Sequence, residues 1–101
     1  MKSNTDTQTD SIVVSLSERL MFSDHDDFRQ VIASLVESDK ANRVLDLKEL
    51  VSVDSAGLGM LVIAHEECQS INAKLVIRGA TGQVRRMLEL GRFDTILQIE
   101  G

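Results

Sequence analysis

The sequence predicts a single α/β domain with a small, mostly parallel sheet and three main helices packed largely on one side of it. Short β-branched segments alternate with longer segments whose apolar residues recur at helical spacing. The chain has 101 residues, of which 43% are hydrophobic and 27% charged, as is usual for one globular domain. The predicted order of elements is β-β-α-β-α-β-α-β, with right-handed crossovers between parallel strands.

The N-terminal part is predicted to hold a polar tail followed by an antiparallel hairpin. Residues 1–10 are almost entirely polar and are expected to form a disordered tail, which leaves residues 11–101 as the folded domain. Within that domain, residues 11–16 and residues 19–22 read as two short strands. The residues between these strands, 17 and 18, are expected to form a tight turn.

The next part of the chain predicts the first helix and the third strand. Ser23 can cap the helix, and three aspartates within residues 24–27 lie in its first turn, where negative charge is favoured. The apolar spacing predicts that this helix ends near Ser38. Residues 43–47 follow as the third strand, and residues 48–50 as a connection.

The C-terminal half is predicted to alternate two helices with two strands. A long second helix begins at a cap formed by Asp54 or Ser55 and reaches about Ser70. Its wide apolar arc indicates that most of this helix is buried. The further predicted elements are a strand at residues 73–78, a helix capped by Thr81 and ended by Gly91, and a strand at residues 93–99.

Composition and charge narrow the function classes. The formal net charge of −5 argues against a nucleic-acid binder, which usually has a basic face. The single cysteine, Cys68, is expected in or near the core and fits a reducing compartment, and with only two distant histidines it offers no zinc ligand set. No segment approaches the roughly 18 continuous apolar residues of a membrane span, and the polar N-terminus is unlike a signal peptide. We therefore expect a cytoplasmic protein without membrane insertion, metal or cofactor.

The most informative segment is Asp54-Ser55-Ala56-Gly57-Leu58-Gly59, which stands where a buried strand ends and a long apolar helix begins. Ser55 is therefore expected at the helix N-terminus, where free backbone N–H groups and the helix dipole favour negative charge. A phosphate on Ser55 would meet N–H groups that are already in place. Gly57 and Gly59 are expected to keep the approach open, because neither has a Cβ.

The same segment also has plainer explanations. Ser55 is a preferred N-cap residue whatever the function of the protein, and a capping serine is also exposed. Asp54 either orients the serine and assists docking of a kinase, or only complements the helix dipole. The spacing of Gly57 and Gly59 is neither a dinucleotide-binding fingerprint nor a P-loop. No catalytic constellation is found in the rest of the sequence, so an enzyme is not expected.

Together these features resemble the STAS domain, a family that includes the bacterial anti-sigma-factor antagonists. The resemblance covers about residues 11–100 and rests on the order of elements, on segment 54–59 and on the closing pattern of residues 84–93. It implies the STAS fold and a partner-switching role in transcription regulation. An unphosphorylated antagonist binds an anti-sigma factor that is also a serine kinase of the histidine-kinase-like ATPase type. Phosphorylation of the serine after the aspartate releases that partner, and a PP2C-type phosphatase restores binding.

In this chain the resemblance implies that Ser55 is the phosphoacceptor. Ala56 replaces a second hydroxyl found in many relatives, and Glu18 and Met21 stand where many antagonists have Gly and Asp. The stretch of residues 22–29 looks more like the STAS switches of Gram-negative bacteria, which often work with response regulators that carry kinase or phosphatase domains. The partner surface implied by the resemblance comprises Asp54, Ser55, Ala56, Gly57, Leu58, Gly59, Ser23 and Asp24.

Two other functions remain open at this point. Some STAS domains are cytoplasmic accessory subunits of membrane transporters, where they brace a transport ATPase, including ATPases of lipid-transport assemblies, and are not phosphorylated. The second alternative is a small domain that senses a nucleotide at the helix N-terminus near Gly57 and Gly59. A neighbouring gene for a kinase or phosphatase favours the switch, whereas a permease gene favours the accessory subunit.

Overall fold

The computed structural model describes residues 1–100, which form one five-stranded sheet and three α-helices. The strands are β1 (Lys2–Thr7), β2 (Ser11–Leu20), β3 (Asn42–Val53), β4 (Leu75–Arg78) and β5 (Gln98–Glu100). The helices are α1 (His25–Glu37), α2 (Ser55–Ser70) and α3 (Gly82–Leu90), with short 3₁₀ helices at Phe22–Asp24 and Phe93–Thr95. The strands lie in chain order, β1 antiparallel to β2 and the other neighbours parallel. The predicted fold class is confirmed, and the order of strands and helices agrees, although the first two strands are not the predicted ones.

All three helices cover the same face of the sheet. In β3, Leu45 and Leu47 belong to a core cluster that also contains residues of α1, α2 and α3. Val44, directly before Leu45, points to the opposite face and lies outside that cluster. β2 shows the same alternation, with Val14 inside the cluster and Val13 outside it. Within residues 1–100, no helix combines the length and the apolar character that a membrane crossing requires.

The N-terminal segment differs from its prediction. Lys2–Thr7 forms the edge strand β1, so the prediction of a disordered tail is wrong for these residues, and the sheet begins before residue 11. All six residues of β1 are exposed, and the strand is held by backbone pairing with β2. A composition argument misses such a strand, because it adds no apolar side chains to the core.

The predicted hairpin over residues 11–22 is also wrong. Its first ten residues belong to the single strand β2, which passes through Glu18 with two shifts of register against β3. Glu18 has φ 69°, and this local irregularity occurs where the sequence pattern suggested a turn. β3 likewise continues through the predicted connection at residues 48–50 and ends only at Val53. The two long strands β2 and β3 therefore end side by side, at the same carboxyl end of the sheet.

The remaining elements lie close to their predicted positions. Helix α2 has Asp54, one of its two predicted caps, as its N-cap and ends at Ser70 as expected, and Thr81 is the N-cap residue of α3. Helix α1 begins after Asp24 rather than at a Ser23 cap, because a short 3₁₀ helix precedes it. The last predicted strand is shorter than expected, since Arg92 with φ 55° leads into a second 3₁₀ helix before β5.

Candidate functional site

The candidate site lies at the carboxyl ends of the parallel strands β2 and β3, beyond the end of their shorter neighbour β4. β2 ends at Leu20, β3 at Val53 and β4 at Arg78, and each strand is followed by a helix. Asp54 and Ser55 are the first residues after the central strand of these three, β3. The carboxyl ends of parallel strands are a common place for binding sites, because the loops that leave them converge there.

Asp54 is the N-cap of α2, and its carboxylate joins two loops. Its Oδ1 accepts a hydrogen bond from the backbone N–H of Gly57 at 2.7 Å, and its Oδ2 accepts one from the N–H of Phe22 at 3.1 Å. The Asp54 N–H donates to the carbonyl oxygen of Leu20 at 3.3 Å. The cap is therefore Asp54 and not Ser55, and it also fixes the loop between β2 and α1.

Ser55 is the first residue of α2, and it is exposed. The N–H of Gly57 is already bound by the Asp54 carboxylate, and the N–H of Asp54 itself donates to the carbonyl oxygen of Leu20. Of the four N–H groups that begin a helix, those of Ser55 and Ala56 remain for another acceptor. The helix N-terminus is thus a smaller cradle for a phosphate than the sequence predicts.

The two glycines of the segment have different environments, and the prediction for Gly57 is wrong. A Cβ on Gly57 would lie 2.3 Å from the carbonyl oxygen of Leu20 and 2.5 Å from Cγ2 of Val53. The missing side chain therefore lets α2 pack against the ends of β2 and β3, and it does not open a path to the serine. A Cβ on Gly59 would meet no atom within 4 Å, so the space beside Gly59 is open.

The predicted partner surface is only partly accessible. Leu58 is 4% exposed and belongs to the core, and Gly57 is buried, so these two residues present no side chain to a partner. The sequence motif takes the segment as one stretch, although a helix turns only some of its residues outward, because residues three and four apart share a face. Asp54, Ala56 and Gly59 are half-buried, and Ser55 is exposed.

The other two predicted partner residues, Ser23 and Asp24, lie in the 3₁₀ helix that precedes α1. Ser23 is exposed and Asp24 is half-buried. The Asp24 carboxylate accepts hydrogen bonds from the N-terminal ammonium of Met1 and from the N–H of Met21, both at 2.9 Å. These bonds, first the one from the ammonium, hold the pKa of Asp24 below its usual value. The loop lies beside the start of α2, because the N–H of Phe22 donates to the carboxylate of Asp54.

Two residues beside the segment are missing from the predicted site. Phe22, whose N–H binds Asp54, is 71% exposed. Gln83 of α3 contacts the backbone of Val53 with both atoms of its side-chain amide. The sequence pattern places Phe22 in a predicted strand and not in a loop at the site. Nothing in the sequence around Gln83 indicates its contact with Val53, because that contact depends on where β4 ends.

Comparisons with known proteins agree with this architecture. A family model described as "Mlab, STAS domain" matches residues 3–98. The STAS-domain containing protein PA14_20770 of Pseudomonas aeruginosa is 25% identical over 88 residues, which cover 87% of this chain and 86% of that protein. An anti-sigma factor antagonist from Mycobacterium paratuberculosis has a TM-score of 0.84 at 19% identity, covering 97% of this chain and 83% of that one. The Bacillus cell fate determinant SpoIIAA in its phosphorylated form has a TM-score of 0.71 at 12% identity, with 99% and 92% covered.

Proposed function

This chain belongs to the STAS domain family, and we propose that it acts as an anti-sigma-factor antagonist controlled by phosphorylation of Ser55. The unphosphorylated protein binds and sequesters an anti-sigma factor that is also a serine kinase, and a phosphate on Ser55 releases that partner. The observation that carries the proposal is the exposed position of Ser55 at the start of a helix that Asp54 caps. The chain is then a binding switch and not an enzyme.

The structural relatives support this proposal. They include an antagonist from Mycobacterium paratuberculosis and SpoIIAA in both its unphosphorylated and its phosphorylated form. The family resemblance adds the classes of the partners: a kinase of the histidine-kinase-like ATPase type, a PP2C-type phosphatase, and response regulators that carry such domains.

The proposed modification is a phosphoryl transfer from ATP held by the kinase. The Ser55 hydroxyl oxygen forms a bond to the γ-phosphorus, the bond from that phosphorus to the oxygen of ADP breaks, and the hydroxyl proton passes to a base of the kinase. Because Asp54 and not Ser55 caps α2, the hydroxyl can be modified without loss of the cap. The fold is therefore expected to survive phosphorylation.

Release of the partner follows from charge. A phosphate adds about −1.5 to −2 charges beside the Asp54 carboxylate, whose oxygens already accept two N–H groups. Placing such a group against a docked protein costs several kcal/mol when it is desolvated or faces like charge. Since about 1.4 kcal/mol corresponds to a tenfold change in affinity, a cost of about 3 kcal/mol weakens binding roughly 100-fold.

The proposal is tested with Ser55→Ala, Ser55→Asp and, as a matched control, Ser70→Ala at the exposed far end of the same helix. The proteins are incubated with ATP and an extract of the source organism, and phosphate-affinity gels measure the modified fraction. Wild type and Ser70→Ala should be modified, and Ser55→Ala should not. Ser55→Ala should also capture the anti-sigma factor as wild type does, whereas Ser55→Asp should capture much less. Full modification of Ser55→Ala would place the acceptor elsewhere.

An accessory role in transport is a second candidate, and the fold comparison favours it specifically. A sulfate transporter family protein from Wolinella succinogenes has a TM-score of 0.76 at 15% identity, covering 93% of this chain and 79% of that one. In such a role the domain would brace a transport ATPase, and Ser55→Asp would leave its binding unchanged. Nucleotide sensing has less support, because Gly57 faces the interior and not an open site.

A further inference from the structure

The strand that leads to Ser55 lacks a strand neighbour on one side. β4 pairs only with residues 43–46 of β3, whereas β3 continues to Val53. On its other side Val53 pairs with Leu20 of β2. The N–H and C=O groups that point to the β4 side near the end of β3 therefore need partners from another part of the chain.

The Gln83 side chain supplies those partners at the last residue of β3. Its Oε1 accepts a hydrogen bond from the N–H of Val53 at 3.0 Å, and its Nε2 donates to the carbonyl oxygen of Val53 at 3.0 Å. A primary amide carries both an acceptor and donors, so one side chain replaces the two bonds that a neighbouring strand would make. Val53 is the residue directly before Asp54.

Helix α3 holds the Gln83 amide in this position. Gln83 lies in the first turn of α3. The next residue, Val84, is fully buried, and Leu88, one turn later, is only 2% exposed. Gly82 has φ 57°, a left-handed conformation that costs glycine little and turns the chain from Thr81 into the helix. The Gln83 amide is thus carried by helix α3, which is held in place by packing against the core. Gln83 itself is half-buried.

We infer that Gln83 is a positioning residue for the phosphorylation of Ser55, an inference that rests on the proposed function of Ser55. Gln83 does not contact the serine. It fixes the backbone of Val53 from the α3 side, as Leu20 fixes it from the β2 side, and Ser55 follows only two residues later. Because displacement of a reacting atom by about 1 Å can slow a reaction on the order of 100-fold, loss of the amide should slow phosphoryl transfer.

The test compares Gln83→Met, which has a similar length but cannot form the two hydrogen bonds, with Gln83→Glu, which can accept from the Val53 N–H but cannot donate to its C=O. Gln69→Met, at an exposed glutamine near the end of α2, is the matched control. Amide hydrogen exchange measured by NMR reports the Val53 N–H directly. We expect it to exchange at least about fivefold faster in Gln83→Met, which corresponds to the loss of a hydrogen bond worth about 1 kcal/mol, while the amide of Leu45 is unchanged.

The second measurement is the rate of Ser55 phosphorylation by an extract of the source organism with radiolabelled ATP, at a temperature where every variant is folded. The maximal rate should fall roughly 10-fold in Gln83→Met, with the apparent KM for the protein changed less than about twofold, because an altered position affects the chemical step more than binding. Gln83→Glu should be intermediate and Gln69→Met should behave as wild type. A role in stability alone would leave the maximal rate unchanged.

The outcomes separate this inference from the proposed function. Normal labelling of wild-type Ser55 with an unchanged maximal rate in Gln83→Met overturns only the inference, and so does unchanged exchange of the Val53 amide. Absence of label on wild-type Ser55 overturns the proposed function and the inference together. If Gln83→Met does not fold, Gln83→Asn provides the same test, since its amide is one methylene too short to reach both groups of Val53.

Discussion

Two different residues cap helix α2 and carry the exposed hydroxyl at its start. Asp54 is the cap, and Ser55 carries the hydroxyl. The Asp54 carboxylate accepts the N–H of Gly57, so the helix does not need the serine oxygen for its first turn. If Ser55 were the cap, its oxygen would be engaged by the helix, and phosphorylation would disturb that bond. With Asp54 as the cap, the Ser55 hydroxyl is exposed and takes no part in the cap. A modification of this hydroxyl therefore changes the surface that contacts a partner.

Because Asp54 and not Ser55 is the cap, alanine substitutions at these two residues should have unequal effects on the free energy of unfolding. Asp54→Ala removes a helix cap and the bond to Phe22, so it should lower the free energy of unfolding by about 1–2 kcal/mol. Ser55→Ala removes an exposed hydroxyl and should change it by less than about 0.5 kcal/mol. Urea denaturation measures both values. Equal losses in the two variants would contradict the assignment of the cap.

Gly57 and Gly59 form a second matched pair. Gly57→Ala places a methyl group 2.3 Å from the backbone oxygen of Leu20, so one element must shift, and the free energy of unfolding should fall by about 1–3 kcal/mol or more. Gly59→Ala meets no atom within 4 Å and should raise it by about 0.5–1 kcal/mol, because alanine is the better helix former. Thermal and urea unfolding give both signs, and a stabilising Gly57→Ala would show that α2 does not pack this closely.

Asp24 links stability to pH. Its pKa lies below the ordinary value of 3.8 because the ionised carboxylate binds the Met1 ammonium and the Met21 N–H. A carboxylate of this kind stabilises the fold fully above its ordinary pKa, and the contribution disappears as the pH falls through the lowered value. The stability advantage of wild type over Asp24→Asn should therefore be constant between about pH 5 and pH 6 and shrink below about pH 4. Urea denaturation across pH measures it, with Asp26→Asn as the control for loss of one negative charge nearby.

At the scale of elements, Arg43 joins the end of α1 to β3. Its side chain is buried to 9% exposure, and its guanidinium donates to the carbonyl oxygens of Leu35 at 2.6 Å and of Lys40 at 2.9 Å, as well as to that of Ser38. The last carbonyls of a helix have no partners within the helix and carry partial negative charge. One cation therefore satisfies several acceptors where α1 turns back to the sheet.

Removal of this cation should be costly. Arg43→Met keeps much of the volume but leaves the carbonyl groups near the end of α1 without their donor, so the free energy of unfolding should fall by about 2–3 kcal/mol. Arg43→Lys should recover only part of this, because an ammonium lacks the planar set of donors. Arg78→Met is the control, since Arg78 is half exposed and its pair with Asp46 at 3.4 Å contributes less than about 1 kcal/mol. Equal losses at both arginines would argue against the role given to Arg43.

The elements that sequence reasoning located are those whose side chains enter the core. Helix α2 is predicted to within a residue at its start, with its end at about Ser70, because its apolar arc and its capping residues agree. The errors fall where backbone hydrogen bonds decide the structure: β1 is fully exposed, and β2 passes through Glu18 with a positive φ instead of turning back. For the site, Asp54 and Ser55 are visible as a motif. Gln83 is not visible in the sequence, because it can bond the backbone of Val53 only when β4 is shorter than β3.

At the scale of the whole molecule, the antiparallel strand β1 covers one edge of an otherwise parallel sheet. It pairs with β2 from Lys2 to Thr7, and its residues are polar and exposed. Behind it, β2 carries a run of buried apolar residues that begins at Ile12. Without β1, this apolar strand would have an open edge, and open edges favour pairing with other chains. β1 is therefore a protective strand that adds little to the core.

A variant lacking residues 1–7 tests this view. The truncated protein should still unfold cooperatively, because no core strand or helix is lost. Its free energy of unfolding should fall by only about 2 kcal/mol, because the entropy cost of ordering an exposed strand offsets most of the net value of about 1 kcal/mol for each backbone hydrogen bond. The truncation also removes the Met1 ammonium, so full-length Asp24→Asn is the control that loses only that ion pair. The truncated protein should further self-associate as its concentration rises in analytical ultracentrifugation, whereas Asp24→Asn should not. A truncated protein that remains monomeric and as stable as Asp24→Asn would mean that β1 neither closes the edge of β2 nor contributes to the sheet beyond the contact with Asp24.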